Sequence, residues 1–109
     1  MTTQFEYDND AMIVKLGREL DQHYAAMLRG EIDRQATSRS IRKIIFDFTN
    51  VEFMDSSGIG VIMGRYRLMQ SVGGTVSAFG ANNRLQKLIE MSGIKRIVSF
   101  YTDRQSAIK

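Results

Sequence analysis

The sequence predicts a single α/β domain: a mixed, mostly parallel sheet with an N-terminal antiparallel strand and helices packed against it. Three observations predict it. Apolar segments of strand type alternate with amphipathic segments of helical period, the order of a parallel sheet built through right-handed crossovers. Ile44, Ile45 and Phe46 are apolar at consecutive positions, as in a strand covered on both faces. Glycines stand where the helical periodicities stop, at Gly73, Gly74 and Gly93. One domain over residues 1–109 suffices, because size scaling buries roughly two-thirds of the surface of a chain this long.

The elements follow in order. Residues 4–8 alternate, and Asp8, Asn9 and Asp10 form a turn into Ala11–Leu16, giving a hairpin. Asp21 is placed to cap a helix whose apolar face is Ala25, Leu28, Ile32 and Ala36. Residues 37–42 break that helix, and Lys43–Phe48 forms the central strand. A second helix starts in the Asp55-Ser56-Ser57-Gly58 segment and runs to Ser71, with Ile59, Ile62, Met63, Tyr66, Met69 and Val72 as its apolar stripe. Thr75–Phe79 is a strand. Asn82 or Asn83 caps a third helix carrying Leu85, Leu88 and Ile89. Ile97–Tyr101 is the last strand, and Thr102 or Asp103 caps a terminal helical turn. Met54, Met63, Met69 and Met91 fall among apolar positions and are expected to fill the core.

Composition excludes several classes of function. Without cysteine there is no disulfide framework, no thiolate metal site and no cysteine nucleophile. No apolar run approaches the ~20 residues of a membrane span. The first ten residues lack the basic-then-apolar order of a secretory signal, so a cytoplasmic protein with no membrane partner is expected. The net charge of +3 divides into −3 over residues 1–55 and +6 over residues 56–109. The basic residues of the second half are scattered, which suits a solvated face better than direct nucleic-acid binding.

The most informative stretch is Val51–Gly60, between the central strand and the second helix, where α/β proteins place function. Ser56 or Ser57 can serve as N-cap, and Gly58 and Gly60 occupy a first turn that ordinarily favours better helix formers. The simplest account is a capping serine with glycines for close packing. A nucleotide-binding or nucleotide-hydrolysing loop is a second account, although Gly58-x-Gly60-x-x-x-Gly64 matches neither phosphate fingerprint. A serine hydrolase would need G-x-S-x-G and a base, and His23 is the sole imidazole. A regulatory phosphoserine is the remaining account: a hydroxyl at an exposed helix start is open to a kinase, and phosphate would add charge beside Asp55. Glu19 and Asp21 alone are too few oxygens for a cation site.

The run Phe53–Tyr66, with Glu19-Leu20-Asp21 before the first helix and Met91-Ser92-Gly93 at the end of the third, closely resembles the anti-sigma factor antagonists of the STAS domain family. The resemblance is nearest to the sporulation branch that antagonises the anti-sigma F factor, with the general stress-response branch as the rival. It implies a partner-switching module, monomeric when free, rather than an enzyme. The unmodified antagonist would bind an anti-sigma factor that is also a serine kinase. That kinase, using its own ATP, would phosphorylate Ser56, and a serine phosphatase would reset the switch. The antagonist itself would need no cofactor and no metal. Ser56, Ser57, Gly58, Asp55, Asp21 and Glu19 would then form the partner-binding surface. Arg18 stands where the family usually has glycine, with Gly17 one position earlier.

Overall fold

β1 (Gln4–Asp8) and β2 (Ala11–Lys15) form the expected antiparallel hairpin, closed by Asn9 in the left-handed region (φ 56°). The computed structural model describes residues 3–109. From β2 onward the large sheet is parallel, through β4 (Lys43–Asp47), β6 (Thr75–Phe79) and β7 (Ser99–Tyr101), in the order β1-β2-β4-β6-β7. The missing numbers belong to two short strands, β3 (Glu19–Leu20) and β5 (Phe53–Met54), which pair in parallel as a separate ladder. Neither strand is legible in the sequence, because two residues are too few to show an alternating pattern.

The strands of the large sheet add in one direction. Right-handed crossovers therefore carry α1 (Gln22–Ser38), α2 (Ser56–Ser71) and α3 (Asn83–Ser92) onto the same face. Met12, Val14, Ile44, Phe46, Val76 and Ala78 point to that face and meet the buried residues of the helices. Burial of each large apolar side chain there contributes roughly 1.5–3 kcal/mol. The other face is covered by the short α4 (Arg104–Ile108), whose Ala107 and Ile108 pack on Ala11, Ile13, Ile45 and Phe79. Lys43 Nζ donates to the Ile108 carbonyl at 2.9 Å and Arg104 reaches Glu6 at 2.6 Å, tying α4 across the sheet. With β4 in the middle and both faces covered, Ile44, Ile45 and Phe46 are wholly buried, as their unbroken apolar run predicts.

Several expected details differ. α1 continues through Thr37 and Ser38 before Arg39 and Ser40 (φ 53°) turn the chain. α2 buries Gly58, Val61, Ile62, Arg65 and Met69, whereas Ile59, Met63 and Tyr66 are half-buried and Val72 is exposed. The stripe is rotated because α2 faces both the sheet and α1, and Arg65 fills the α1 side. Its Nε lies 3.0 Å from Asp33 Oδ1, as a charge contact outside hydrogen-bond alignment. Burial pushes the Arg65 guanidinium below its ordinary value, and the Asp33 carboxylate opposes that shift. Met91 is 86% exposed rather than core, since α3 buries only the Leu85 and Ile89 side. Gly93 ends α3 in the left-handed conformation (φ 76°), and a 3-10 turn over Ile94–Arg96 delays the last strand to Ser99.

Candidate functional site

The β3–β5 ladder pairs Glu19 with Phe53 and Leu20 with Met54. The next residue on each strand is an aspartate, and each aspartate caps a helix. Asp21 is extended (φ −97°, ψ −178°) and its Oδ1 accepts from the Tyr24 amide at 2.9 Å, opening α1. Asp55 is extended as well (φ −104°, ψ −172°) and its Oδ1 accepts from the Ser57 amide at 2.8 Å, opening α2. Ser56 and Ser57 are therefore not caps. They are the first two helical residues, because the longer carboxylate of Asp55 already satisfies the free amide that a serine hydroxyl would have served.

Gly58 is buried in the first turn of α2, and a Cβ there would lie 2.6 Å from Met54 Sδ and 3.0 Å from Leu20 Cδ2. Packing of the helix on the short ladder thus accounts for this glycine. Gly60 is different: it is exposed, and a Cβ would meet nothing within 4 Å. Ser56 is exposed, while Ser57 is half-buried and lines a cleft between α1 and α2 with Gln22, Ala25, Arg29 and Gly60. Asp21 and Asp55 line a shallow neighbouring cleft with Gln22, His23 and Ala26.

The predicted residues Asp21, Asp55, Ser56, Ser57 and Gly58 thus gather where two helix starts meet one ladder. Glu19, on the first rung, is exposed beside Phe53, itself 50% exposed. Gln22 and His23 of α1 join this surface although neither belongs to the motif. Phe53 belongs to the motif, but its exposure follows only from the fold, since an aromatic side chain is ordinarily buried. Arg18 and Glu52 precede the two short strands and form a forked ion pair, Nε to Oε2 at 3.0 Å and Nη2 to Oε1 at 3.1 Å. The Arg18 bond and charge hold the Glu52 carboxyl below the ordinary glutamate value, with Arg84 adding to the effect.

Chemically the arrangement offers an accessible hydroxyl flanked by carboxylates. Two carboxylates at adjoining helix starts disfavour a bound nucleotide phosphate, which those starts would otherwise attract. Among the described residues there is no group of three or more His, Asp or Glu side chains able to hold a metal ion, and no helix long and apolar enough to cross a membrane.

The STAS domain model matches residues 2–107. The chain belongs to the STAS domain family. An anti-sigma F factor antagonist of Paenibacillus polymyxa is 35% identical over 105 residues, covering 96% of this chain and 90% of the relative. The solved structure of the Bacillus cell fate determinant SpoIIAA in its phosphorylated form superposes with a TM-score of 0.76 at 26% identity, covering 96% of each chain. tm1081 of Thermotoga maritima superposes with a TM-score of 0.91 at 22% identity, over 97% of this chain and 91% of that one, a likeness of fold. The protein is thus a STAS-domain anti-sigma factor antagonist, placed among regulatory partner-switching proteins rather than enzymes. The STAS fold puts its irregular ladder and two helix starts at one end of the domain, where the predicted switch residues lie.

Proposed function

We infer that the chain binds an anti-sigma factor that is also a serine kinase, freeing a sporulation sigma factor, and that phosphorylation of Ser56 reverses this binding. The observation that carries the reading is Ser56 itself: exposed, first in α2, and directly after the carboxylate that caps the helix. Identity to an anti-sigma F factor antagonist supports the choice of partner. A serine phosphatase would restore the unmodified form.

The geometry supports a charge switch. A phosphoserine adds roughly −1.5 to −2 charge at Ser56, beside Asp55 and near Asp21. The helix start offsets part of this charge within the chain. An acidic group of the bound kinase would gain no such offset. One new charge pair at ~5 Å and an effective dielectric near 20 costs about 3 kcal/mol before screening. That amounts to roughly a hundredfold in affinity, enough to exchange partners with the fold intact.

The test is incubation of the chain with the anti-sigma F factor of the source organism and ATP. Mapping the phosphate and titrating both forms against that factor then reads the switch. Phosphate at Ser56 and weaker binding of the modified form are expected. Phosphate confined to Ser57, or equal affinity of the two forms, would overturn the reading.

A further inference from the structure

Among the described residues the β3–β5 ladder has two rungs and no third strand beside it, a length at which backbone pairing alone is marginal. Its exit end carries Asp21 and Asp55. Its entry end is closed by Arg18 and Glu52 in two ways. The Arg18 carbonyl accepts from the Glu52 amide at 2.7 Å and from the Phe53 amide at 3.1 Å. The Arg18 guanidinium grips the Glu52 carboxylate with two parallel bonds, at 3.0 and 3.1 Å. By contrast, the Asp55 amide reaches the Leu20 carbonyl at 3.4 Å, so the exit end is the looser one.

We propose that the Arg18–Glu52 pair is a clasp that fixes the register of β3 against β5 and thereby positions Asp21, Asp55 and Ser56 for the partner. Both residues are positioning residues. The clasp acts over about 10 Å, three residues along extended chain. A fork is suited to this because two parallel bonds fix orientation as well as distance. An exposed pair of this kind contributes little to global stability, so its effect belongs to the ladder rather than to the fold. The consequence for binding rests on the partner reading above; the consequence for the ladder does not.

The experiment is a cycle of R18A, E52A and R18A/E52A. Amide exchange at Asp55 and Ser57 is followed by NMR in the free chain, and affinity is measured for the anti-sigma F factor of the source organism. Each single variant should speed exchange at both amides and weaken binding about threefold, the scale of an exposed ion pair. The double variant should also lose about threefold rather than ninefold, since the second change removes a group whose partner is already gone. Global unfolding midpoints should hardly move. Loss in R18A with wild-type behaviour in E52A would overturn the clasp and make Arg18 a direct contact, and so would unchanged exchange in both singles. If the wild-type chain fails to bind the factor, the partner reading falls while the exchange data still decide the clasp.

Discussion

Asp21 and Asp55 occupy equivalent positions: each follows the last rung of one parallel ladder, Leu20 against Met54, and each caps the helix that begins there. Two helix starts, with their unpaired amides, are thus brought side by side by four residues of strand. The pairing brings Asp21, distant in sequence, alongside Asp55 at the start of α2.

Capping and charge can be separated at Asp21. Asp21→Ala removes the acceptor for the Tyr24 amide and should cost about 1 kcal/mol of stability by urea unfolding. Asp21→Asn keeps an acceptor and loses the charge, so its stability should stay near wild type. If the carboxylate meets the partner, both variants bind the anti-sigma factor more weakly in a calorimetric titration. Equal binding by wild type and Asp21→Asn would leave Asp21 a cap only.

Ser56→Ala should bind the partner within about twofold of wild type, because an exposed hydroxyl contributes little, and should take up no phosphate. Ser56→Asp carries less charge than phosphoserine and fewer acceptor oxygens. It should weaken binding by about tenfold, short of the modified protein. Affinities of the three forms, measured at two salt concentrations, check the order.

The two glycines of the first turn of α2 should respond in opposite directions. Gly58→Ala presses a methyl group onto Met54 and Leu20 and should cost about 1–3 kcal/mol. Gly60→Ala enters open space in ordinary helical backbone and should stabilise α2 by up to about 1 kcal/mol. Thermal melts of both variants, side by side, give the signs.

Arg65 and Asp33 should be unequal partners. Asp33→Ala leaves a buried guanidinium without its counter-charge and should destabilise by about 1–3 kcal/mol, below the cost for a fully buried pair because Asp33 is half-exposed. Arg65→Met fills the same space without a charge to bury and should cost less. Urea midpoints rank the two.

The acid limb of the stability curve should depend on Arg104. Its bond to Glu6 is the chief reason that the Glu6 carboxyl lies below the ordinary value of 4.5, with the charges of Arg104 and Lys15 adding to it. A depressed folded value means that the unfolded chain takes up the proton first. The contribution is therefore complete above 4.5 and fades as pH falls through the folded value. Arg104→Ala should make the loss of stability below about pH 5 shallower, read as urea midpoint against pH.

Much of this was legible in the sequence because it rests on local signals. The Ile44–Phe46 run, the Asp21 cap and the α3 stop at Gly93 each have a short-range cause, and each stands where expected. The ladder Glu19–Leu20 against Phe53–Met54 was hidden, since its cause is a contact between residues more than thirty positions apart. From the sequence alone Ser56 or Ser57 can serve as the α2 cap, whereas in the structure Asp55 takes that place and its carboxylate accepts from the Ser57 amide. Arg65 belongs to the scattered basic residues that suit a solvated face, and only the approach of α1 buries it. The motif marks Asp21, Asp55 and Ser56 in the sequence, while only the fold brings Gln22, His23 and the exposed Phe53 alongside them.

The order β1-β2-β4-β6-β7 bears on how the chain is made. No strand of the large sheet has to slip between two that are already paired. Each βα unit leaving the ribosome finds one open edge and extends it, so loop closures stay short and few compact wrong pairings compete. α4, which follows β7, lies on the far side and is fastened there through Ile108 and Arg104. The topology therefore allows assembly in the direction of synthesis, with the elements around Ser56 in place before α4 is reached.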